Sequence, residues 1–500
     1  SYETAFIVQG NDAKEEMVNS NSSWKSIQDS AYAPLPINKS RLRTYIVTAE
    51  GEKLDGNRFA WGFESPDFDD SHWSNAAIRW YAAKSRSFGT DGNWMLVPRS
   101  IPLAEESIQH FAGLRRSNRN LGSVESFLTG SSTIEIPAHS QISLLFDQGS
   151  LSNAYPVLQV SRGKNSVIQL SYAEALVNQK GEKGNRDSIE GKELMGFSDE
   201  YTQDGGDHRI YSPLFFRTFR YLEMKIETQD EPMTIEDFHS LFTGYPFKEN
   251  AYFKSNDQGL FKIWQTGWRT ARLCAVDTYF DCPYYEQLQY VGDTRIQAMI
   301  SLYVSGDDRL MRKAIDDISH SFIADGLTQS RYPSRDMQVI PTFSLWWVCM
   351  IHDYWMHRKD DAFVLSHLNG IDRVLEWYRE RISEKGILGP LSWWQFVDWS
   401  WPWVDSIRVG GVPPGASKGG SSIITLQYVY TLQRAASLMS HYGKKELADK
   451  YLKLAQSLTK RTMELCWDQE RGLLADDYNK KEFSQHANIL AVLTDAVTLS

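Results

Sequence analysis

The hydrophobic pattern of the chain changes character near residue 250. Before that point, apolar residues occur in short runs that favour β-strands. These runs are 41–50, 133–137, 141–146 and 215–228. The stretch 155–176 places a Gly-Lys-Asn turn between two apolar runs, which predicts a β-hairpin. The first half of the chain is therefore predicted to form one or two β-sandwich units.

From residue 255 onwards, apolar residues recur at helical spacing. Ser255–Asp257 offers N-cap residues for a first helix, which Leu260, Ile263 and Trp264 continue. Seven further helices are predicted at 293–305, 308–322, 342–357, 361–380, 421–441, 444–466 and 484–498. Long loops between them alternate with short ones, and the long loops carry clusters of acidic and aromatic residues. This arrangement is typical of a barrel of paired helices with a functional site at one end.

Length supports a multidomain interpretation, because 500 residues exceed what one hydrophobic core usually holds. The predicted fold class is β + α, with jelly-roll-like N-terminal β-sandwich domains followed by a helical barrel. The predicted boundaries are an N-terminal β-domain at 1–130, a second β-sandwich at 131–250 and the helical domain at 251–500.

Composition narrows the class of partner. The 53 basic and 63 acidic residues give a net charge of −10, which argues against nucleic acid or an anionic membrane as a partner. No apolar run reaches the length of a membrane span. Four scattered cysteines without a C-x-x-C pair favour buried free thiols over a zinc site or a disulfide framework. Localisation stays open: secreted or periplasmic if a signal peptide has been removed, otherwise cytoplasmic.

The stretch DTYFDCPYYEQLQYVGD, residues 277–293, places four carboxylic residues among four tyrosines. Like charges in an apolar setting are costly unless protons or partners offset them. One interpretation is structural, with Asp293 as the N-cap of the helix that follows. The other is a sugar site, in which one carboxyl keeps its proton and another stays ionised. Aromatic-rich loops such as SWWQFVDWSWPW at 392–403 would supply stacking faces.

The segment DCPYYEQLQYVGD resembles the central motif of the α-L-rhamnosidase family of glycoside hydrolases. Weaker similarity extends through FDDSHW, NWMLVPRSIP, FFRTFRYLEM, SRYPSRDMQVIPTFSLWWV and FVDWSW, and so covers most of the chain from about residue 60. The resemblance implies an (α/α)6 barrel and an inverting enzyme that removes terminal α-L-rhamnose. The implied partner is a rhamnose-containing glycoside or polysaccharide, with no cofactor and no metal.

The same resemblance assigns roles to individual residues. Glu286 matches the general acid, although it follows Asp281 by five positions, one fewer than in many members. Asp281 and Asp293 match carboxylates that hold rhamnose hydroxyls and help to keep Glu286 protonated. The complete set predicted to bind substrate is Asp281, Asp293, Tyr290, Trp346, Trp347, Asp398, Trp399, Arg335 and His486.

The general base is expected to lie beyond Ser500. The family's barrel has twelve helices, and about eight are predicted here, so the chain is interpreted as part of a longer protein. Asp476, Asp477 and Glu482 are interpreted as solvated loop residues rather than as the base.

Two alternatives remain open at this stage. One is a sugar-binding protein on the same scaffold, which the missing base suggests. The other is a different helical-barrel glycosidase or a lyase that acts on acidic sugars, for which Arg331 and Arg335 would be candidates, although the acidic cluster disfavours a polyanionic substrate. The oligomeric state is not predicted.

Overall fold

The computed structural model describes residues 6–38, 42, 45–79, 97–121, 124–400, 403 and 409–497. The chain divides into two compact units. The β unit comprises Ser1–Thr44, Ala49–Arg99 and Glu106–Thr243, and the helical unit comprises Tyr45–Thr48, Ser100–Glu105 and Gly244–Ser500. Division of the first 250 residues into two domains stays a prediction.

Strands dominate the β unit. They are β1 Lys25–Ser26, β2 Tyr32–Leu35, β3 Gly51–Asp55, β4 Ser74–Asn75, β5 Glu105–Gln109, β6 Gly113–Ser117, β7 Ile134–Ile136, β8 Gln141–Arg162, β9 Val167–Ala173, β10 Phe197–Thr202, β11 Arg209–Tyr211, β12 Arg217–Glu227 and β13 Met233–Gly244, with a short helix α1 at Val124–Leu128. Within the described residues, eleven of them form one sheet with the order β2-β3-β10-β9-β12-β8-β13-β5; β6 and β11 also pair with β8, and β7 with β13. The strands predicted at 133–137, 141–146 and 215–228 are confirmed.

The predicted hairpin at 155–176 is wrong in its pairing. The chain does turn between β8 and β9, where Ser166 N donates to Gly163 O over 3.0 Å. However, β9 pairs with β10 and β12, whereas this end of β8 pairs with β11 and β13. Turn chemistry fixes where the chain reverses, but the pairing of each strand depends on partners more distant in sequence.

The predicted strand at 41–50 is not found either. Residues 45–50 lie outside any strand and β3 starts at Gly51, while 41, 43 and 44 lie outside the described residues. The backbone N–H groups of Val47 and Thr48 instead donate to the carbonyl of Tyr285, over 3.0 and 3.2 Å. Part of this alternating apolar segment therefore forms hydrogen bonds with a loop of the helical unit and not with a neighbouring strand.

All eight predicted helices are present. They are α2 Gln258–Leu273, α3 Val291–Ser305, α4 Arg309–Ser319, α5 Pro341–His357, α6 Asp361–Arg379, α7 Ser422–His441, α8 Lys445–Cys466 and α9 Gln485–Leu493, with a two-stranded ribbon of β14 Trp467–Asp468 and β15 Leu473–Leu474 after α8. Asp257 caps α2 as expected, since its side chain accepts from Gly259 N. Among the described helices, none combines the length and apolar character that a membrane span requires.

Helices α5 and α7 lie at the centre of the helical unit. Both are buried around most of their circumference, and their buried side chains join one hydrophobic core with those of α3, α4, α6 and α8. Helices that are apolar on all sides occupy the interior of a large core. The long loops that precede α3, α5 and α7 are thereby fixed to rigid elements, and these loops carry the acidic and aromatic residues.

Candidate active site

The acidic loop, residues 277–290, connects α2 to α3 and is closed by its own hydrogen bonds. Asp281 N donates to Leu288 O over 2.9 Å, and Leu288 N donates back to Oδ1 of Asp281 over 3.0 Å. The N–H of Cys282 also donates to this Oδ1, over 2.7 Å. Gln287, with φ of 58°, allows the chain to turn sharply. The loop therefore holds the Asp281 carboxyl in one orientation.

A second loop fixes the acidic loop in place. Gln289 is buried, and its Nε2 donates to the carbonyl of Tyr332 over 2.8 Å. Tyr290 forms an antiparallel bridge with Arg331, and Val291 N donates to Ser330 O over 2.9 Å. These contacts make the start of α3 and the segment 328–332 one rigid support for the site.

The carboxyl groups of Asp281 and Glu286 are hydrogen-bonded to each other. One oxygen of each and the Sγ atom of Cys282 lie within 4.8 Å of one another. Two ionised carboxylates have no donor between them, so a hydrogen bond between these groups forms only when one of them carries a proton. Burial, and then the hydrogen bond from Glu286, raises the pKa of Asp281 from 3.8 to about 8. The Asp281–Glu286 pair therefore holds one proton at neutral pH.

Two further carboxylates and a histidine join this pair. Asp293 is not an N-cap, because α3 begins at Val291 and places Asp293 in its first turn. Burial and the charge of Asp281 raise the pKa of Asp293 to about 6, and the charge of Asp398 adds to the effect. Nε2 of His486, at the start of α9, lies 3.1 Å from Oδ2 of Asp398. Predicted site residues from three separate loops thus form one electrostatic cluster.

Tyr290 links the acidic residues to an arginine and to an aromatic path. Burial raises its pKa to about 12, and the charge of Glu286 contributes. Its hydroxyl oxygen accepts from Nη1 of Arg331 over 2.9 Å. Its ring lies edge-on to Phe343, with centroids 6.2 Å apart. Gly292 permits this contact, since a Cβ there would lie 3.0 Å from the Phe343 ring.

The aromatic path continues to the loop before α7. The ring of Phe343 lies 5.9 Å from that of Phe396, which in turn lies 5.0 Å from the ring of Trp399. Trp399 also lies 6.1 Å from Trp394, and its side chain is 73% exposed. An exposed indole held beside two packed aromatic rings offers a face for an apolar surface of a ligand.

Three predicted binding residues lie elsewhere. Trp347 is fully buried in the core, where its Nε1 donates to Ile315 O over 3.1 Å, so its ring has no surface for a sugar. The guanidinium of Arg295 lies over the ring of Trp346, and this ring lies beside Tyr430 of α7. Arg335 has a side chain that is 95% exposed and lies 3.6 Å from Asp336. Helical neighbours such as 346 and 347 point in different directions, and a sequence match does not reveal which one faces the site.

The interpretation of Asp476 and Asp477 as solvated is wrong. Their side chains are 1% and 8% exposed, whereas Glu482 is exposed as expected. Oδ1 of Asp476 accepts from the N and Oγ of Ser484, over 2.9 and 2.7 Å. Asp476 therefore organises the start of α9, and through it the position of His486.

Asp281, Cys282 and Glu286 also have the donor types of a cation site. Oδ1 of Asp281 already accepts from the N–H groups of Cys282 and Leu288, and burial raises the pKa of Cys282 to about 11, which favours the neutral thiol. As arranged here, the group binds a proton, and the absence of a metal requirement stays a prediction.

Sequence reasoning missed several residues that contact the site. Phe343 and Phe396 form the aromatic path, and Oη of Tyr45 accepts from Nη1 of Arg331 over 3.2 Å. Only the aromatic richness of 343–348 and 392–403 pointed to the first two. Nothing in the sequence connects Tyr45 to Arg331, because they are 286 positions apart.

Comparison with known proteins places this cluster in a family. The profile of the bacterial alpha-L-rhamnosidase 6 hairpin glycosidase domain matches residues 248–499. The match covers half of the chain and includes α2 to α9 and every acidic residue of the site. The chain belongs to the α-L-rhamnosidase family. Among curated proteins, none matches it significantly.

Solved rhamnosidase structures share the fold of this family member. The rhamnosidase from Klebsiella oxytoca with rhamnose bound has 17% identity and a TM-score of 0.66, over 80% of this chain and 78% of that one. The α-L-rhamnosidase from Dictyoglumus thermophilum has 18% identity and a TM-score of 0.68, over 96% and 48%. The GH78 family rhamnosidase of Bacillus sp. GL1 has 22% identity and a TM-score of 0.64, over 75% and 38%. The chain thus spans less than half of two of these proteins.

Proposed function

We propose that this chain hydrolyses terminal non-reducing α-L-rhamnose residues from rhamnosides or rhamnose-containing polysaccharides, with inversion and with Glu286 as the general acid. Family membership supports the substrate class, and the rhamnose bound in the Klebsiella oxytoca relative supports the sugar. The alternation of helices with long acidic loops supports a helical unit built as an (α/α)6 barrel.

One observation carries the proposal: the carboxyl groups of Asp281 and Glu286 lie side by side in a partly buried loop, where burial and the neighbouring Glu286 raise the pKa of Asp281 to about 8. Hydrolysis of a glycosidic bond requires an acid that protonates the leaving oxygen. Glu286 delivers that proton, and Asp281 passes its share along their hydrogen bond. The neighbouring Asp293, with a lower pKa of about 6, is mainly ionised at neutral pH and accepts hydrogen bonds from sugar hydroxyls.

Asp281 and Glu286 act as one acid, not as an acid and a base. The two catalytic carboxyl groups of an inverting enzyme are about 6.5–9.5 Å apart, which leaves room for the attacking water. The hydrogen-bonded groups of this pair, with oxygens within 4.8 Å, leave no such space. The base that activates water is therefore a different carboxylate, on the opposite face of the sugar.

Product analysis tests the proposal directly. The protein is incubated with an alkyl α-L-rhamnoside in an NMR tube, and the first-formed anomer of free rhamnose is followed before mutarotation. We expect the β anomer to appear first. The α anomer appearing first would contradict inversion, and sugar binding without turnover would favour a non-catalytic rhamnoside-binding protein.

Trp399 gives a prediction about binding. Replacing it with Ala is expected to raise KM by about tenfold with little change in kcat, because an exposed stacking face contributes on the order of 1 kcal/mol to binding. Trp393→Ala is the matched control, since Trp393 lies on the same loop but directs its Nε1 to Asp325. Steady-state kinetics on an aryl rhamnoside measures both; equal effects would remove Trp399 from the site.

A further inference from the structure

The guanidinium of Arg331 is buried beside the acidic loop, and no carboxylate of the described residues forms an ion pair with it. Its side chain is 8% exposed. Nη1 donates to the hydroxyl oxygens of Tyr290 and Tyr45, over 2.9 and 3.2 Å. Nε is buried and has no hydrogen-bond partner among the described residues. A buried cation with an unpaired donor is costly, so such a group in a site calls for an explanation.

Two other half-buried arginines of the helical unit are paired with acids. Nε of Arg295 donates to Asp353 over 2.7 Å, and Nε of Arg358 donates to Asp308 over 2.8 Å. For Arg331, the described residues provide two neutral tyrosine hydroxyls and no carboxylate ion pair. The edge formed by Nε and Nη2 is the one with which arginine binds carboxylates through two parallel hydrogen bonds. In Arg331, neither nitrogen of this edge has a recorded acceptor in the described part of the chain.

The surroundings show where a ligand would approach. Tyr290 contacts Arg331, and the charge of Glu286 contributes to the raised pKa of Tyr290. A single side chain therefore separates Arg331 from the carboxyl pair. Tyr45, which accepts from Nη1 of Arg331, is 55% exposed, so the Arg331–Tyr45 contact borders solvent on the Tyr45 side. A group that reaches Arg331 while rhamnose lies at the acid pair would belong to the next sugar of the substrate.

We propose that Arg331 binds the carboxylate of a uronic acid to which the terminal rhamnose is linked. This inference rests on the proposed function, because it takes the acid pair as the position of the scissile bond. Because Nε is buried in the free protein, a change in the Arg331 side-chain conformation would have to expose it before the carboxylate could accept from both Nε and Nη2, while Tyr45 and Tyr290 hold the guanidinium by Nη1. The preferred substrate class is then an oligosaccharide in which the terminal rhamnose is linked to a single uronic acid.

Equilibrium binding of two matched disaccharides tests the inference without requiring turnover. The ligands are thio-linked rhamnosyl-glucuronic acid and thio-linked rhamnosyl-glucose, which differ only at the carboxylate. Calorimetry with the full chain is expected to give about tenfold to hundredfold tighter binding of the acid, as for charge-assisted pairs. Arg331→Met should bring the ratio close to one, and Arg331→Lys, which keeps charge but loses the fork, should give an intermediate ratio.

Lys460→Met is the control for general charge attraction, because the side chain of Lys460 is 78% exposed on the same unit and its loss should leave the ratio unchanged. Equal binding of both ligands by the unmodified chain would overturn the inference and leave the proposed function intact. A preference that persists in folded Arg331→Met, checked by circular dichroism, or in Arg331→Lys without reduction, would overturn the role of Arg331. If neither disaccharide binds, the proposed sugar site fails, and this inference fails with it.

Discussion

Replacing Glu286 with Gln lowers kcat on alkyl α-L-rhamnosides by roughly 10²- to 10⁴-fold, the range typical of a lost general acid. Gln has the same shape and keeps a hydrogen bond to Asp281, so the loop and the sugar site should persist. Binding of rhamnose should therefore change by much less than kcat. A neutral amide has no proton of suitable acidity to give to the leaving oxygen.

A comparison of two leaving groups of different acidity gives a more specific test of this prediction. A nitrophenyl rhamnoside departs without much protonation, so Glu286→Gln should impair its cleavage much less than that of an alkyl rhamnoside. The measurement is kcat for both substrates with both proteins. Glu470→Gln is the matched control, because Glu470 is an exposed glutamate of the same unit. Parent-level cleavage of the alkyl substrate by Glu286→Gln would refute the assignment of the acid.

Replacing Asp281 with Asn is expected to lower kcat/KM by about 10²- to 10³-fold, within the range of acid catalysis. An Asn side chain cannot hold the proton that the raised pKa of Asp281 keeps in the parent, so the pair loses the proton that it would pass to the leaving oxygen. Asp277→Asn is the control, since Asp277 is exposed on the same loop. Comparable losses of kcat/KM in Asp281→Asn and Asp277→Asn would indicate that activity depends on the loop as a whole and not on the Asp281–Glu286 pair.

The pH dependence gives Asp281→Asn a second readout. Because the pKa of Asp281 is raised to about 8, activity of the parent should be present below that pH and lost as pH rises through it. The same shift acts on stability: between pH 3.8 and about 8 the folded chain binds more protons than the unfolded chain. The free energy of unfolding should therefore decrease as the pH rises from 3.8 to about 8. Asp281→Asn should remove both the alkaline limb near pH 8 and this fall in stability.

Helices and their order could be predicted from sequence because their signal is local. Apolar residues at helical spacing and caps such as Asp257 lie within a few positions of one another. The acidic loop was also recognisable, since all its carboxylates belong to one short segment. Pairing of β8 and β9 with other strands was not predictable, because it depends on β10, β12 and β13, which come later in the chain.

The same distinction between local signals and long-range contacts applies to the residues of the site. Asp281 and Glu286 were predicted individually, but their shared proton depends on burial and on a hydrogen bond that sequence spacing does not specify. Trp347 carries the same motif signal as a pocket residue and is nevertheless core, because its side chain points into the helix bundle. Tyr45 was missed because its contact with Arg331 crosses most of the chain.

The central claim is that the Asp281–Glu286 pair holds one proton at neutral pH. Infrared difference spectroscopy between the parent and the Asp281→Asn, Glu286→Gln double variant isolates the carboxyl absorption of this pair. The account predicts a protonated carboxyl band in the parent at pH 7, which disappears as pH rises through about 8. A difference spectrum that shows only ionised carboxylates at pH 7 would contradict it.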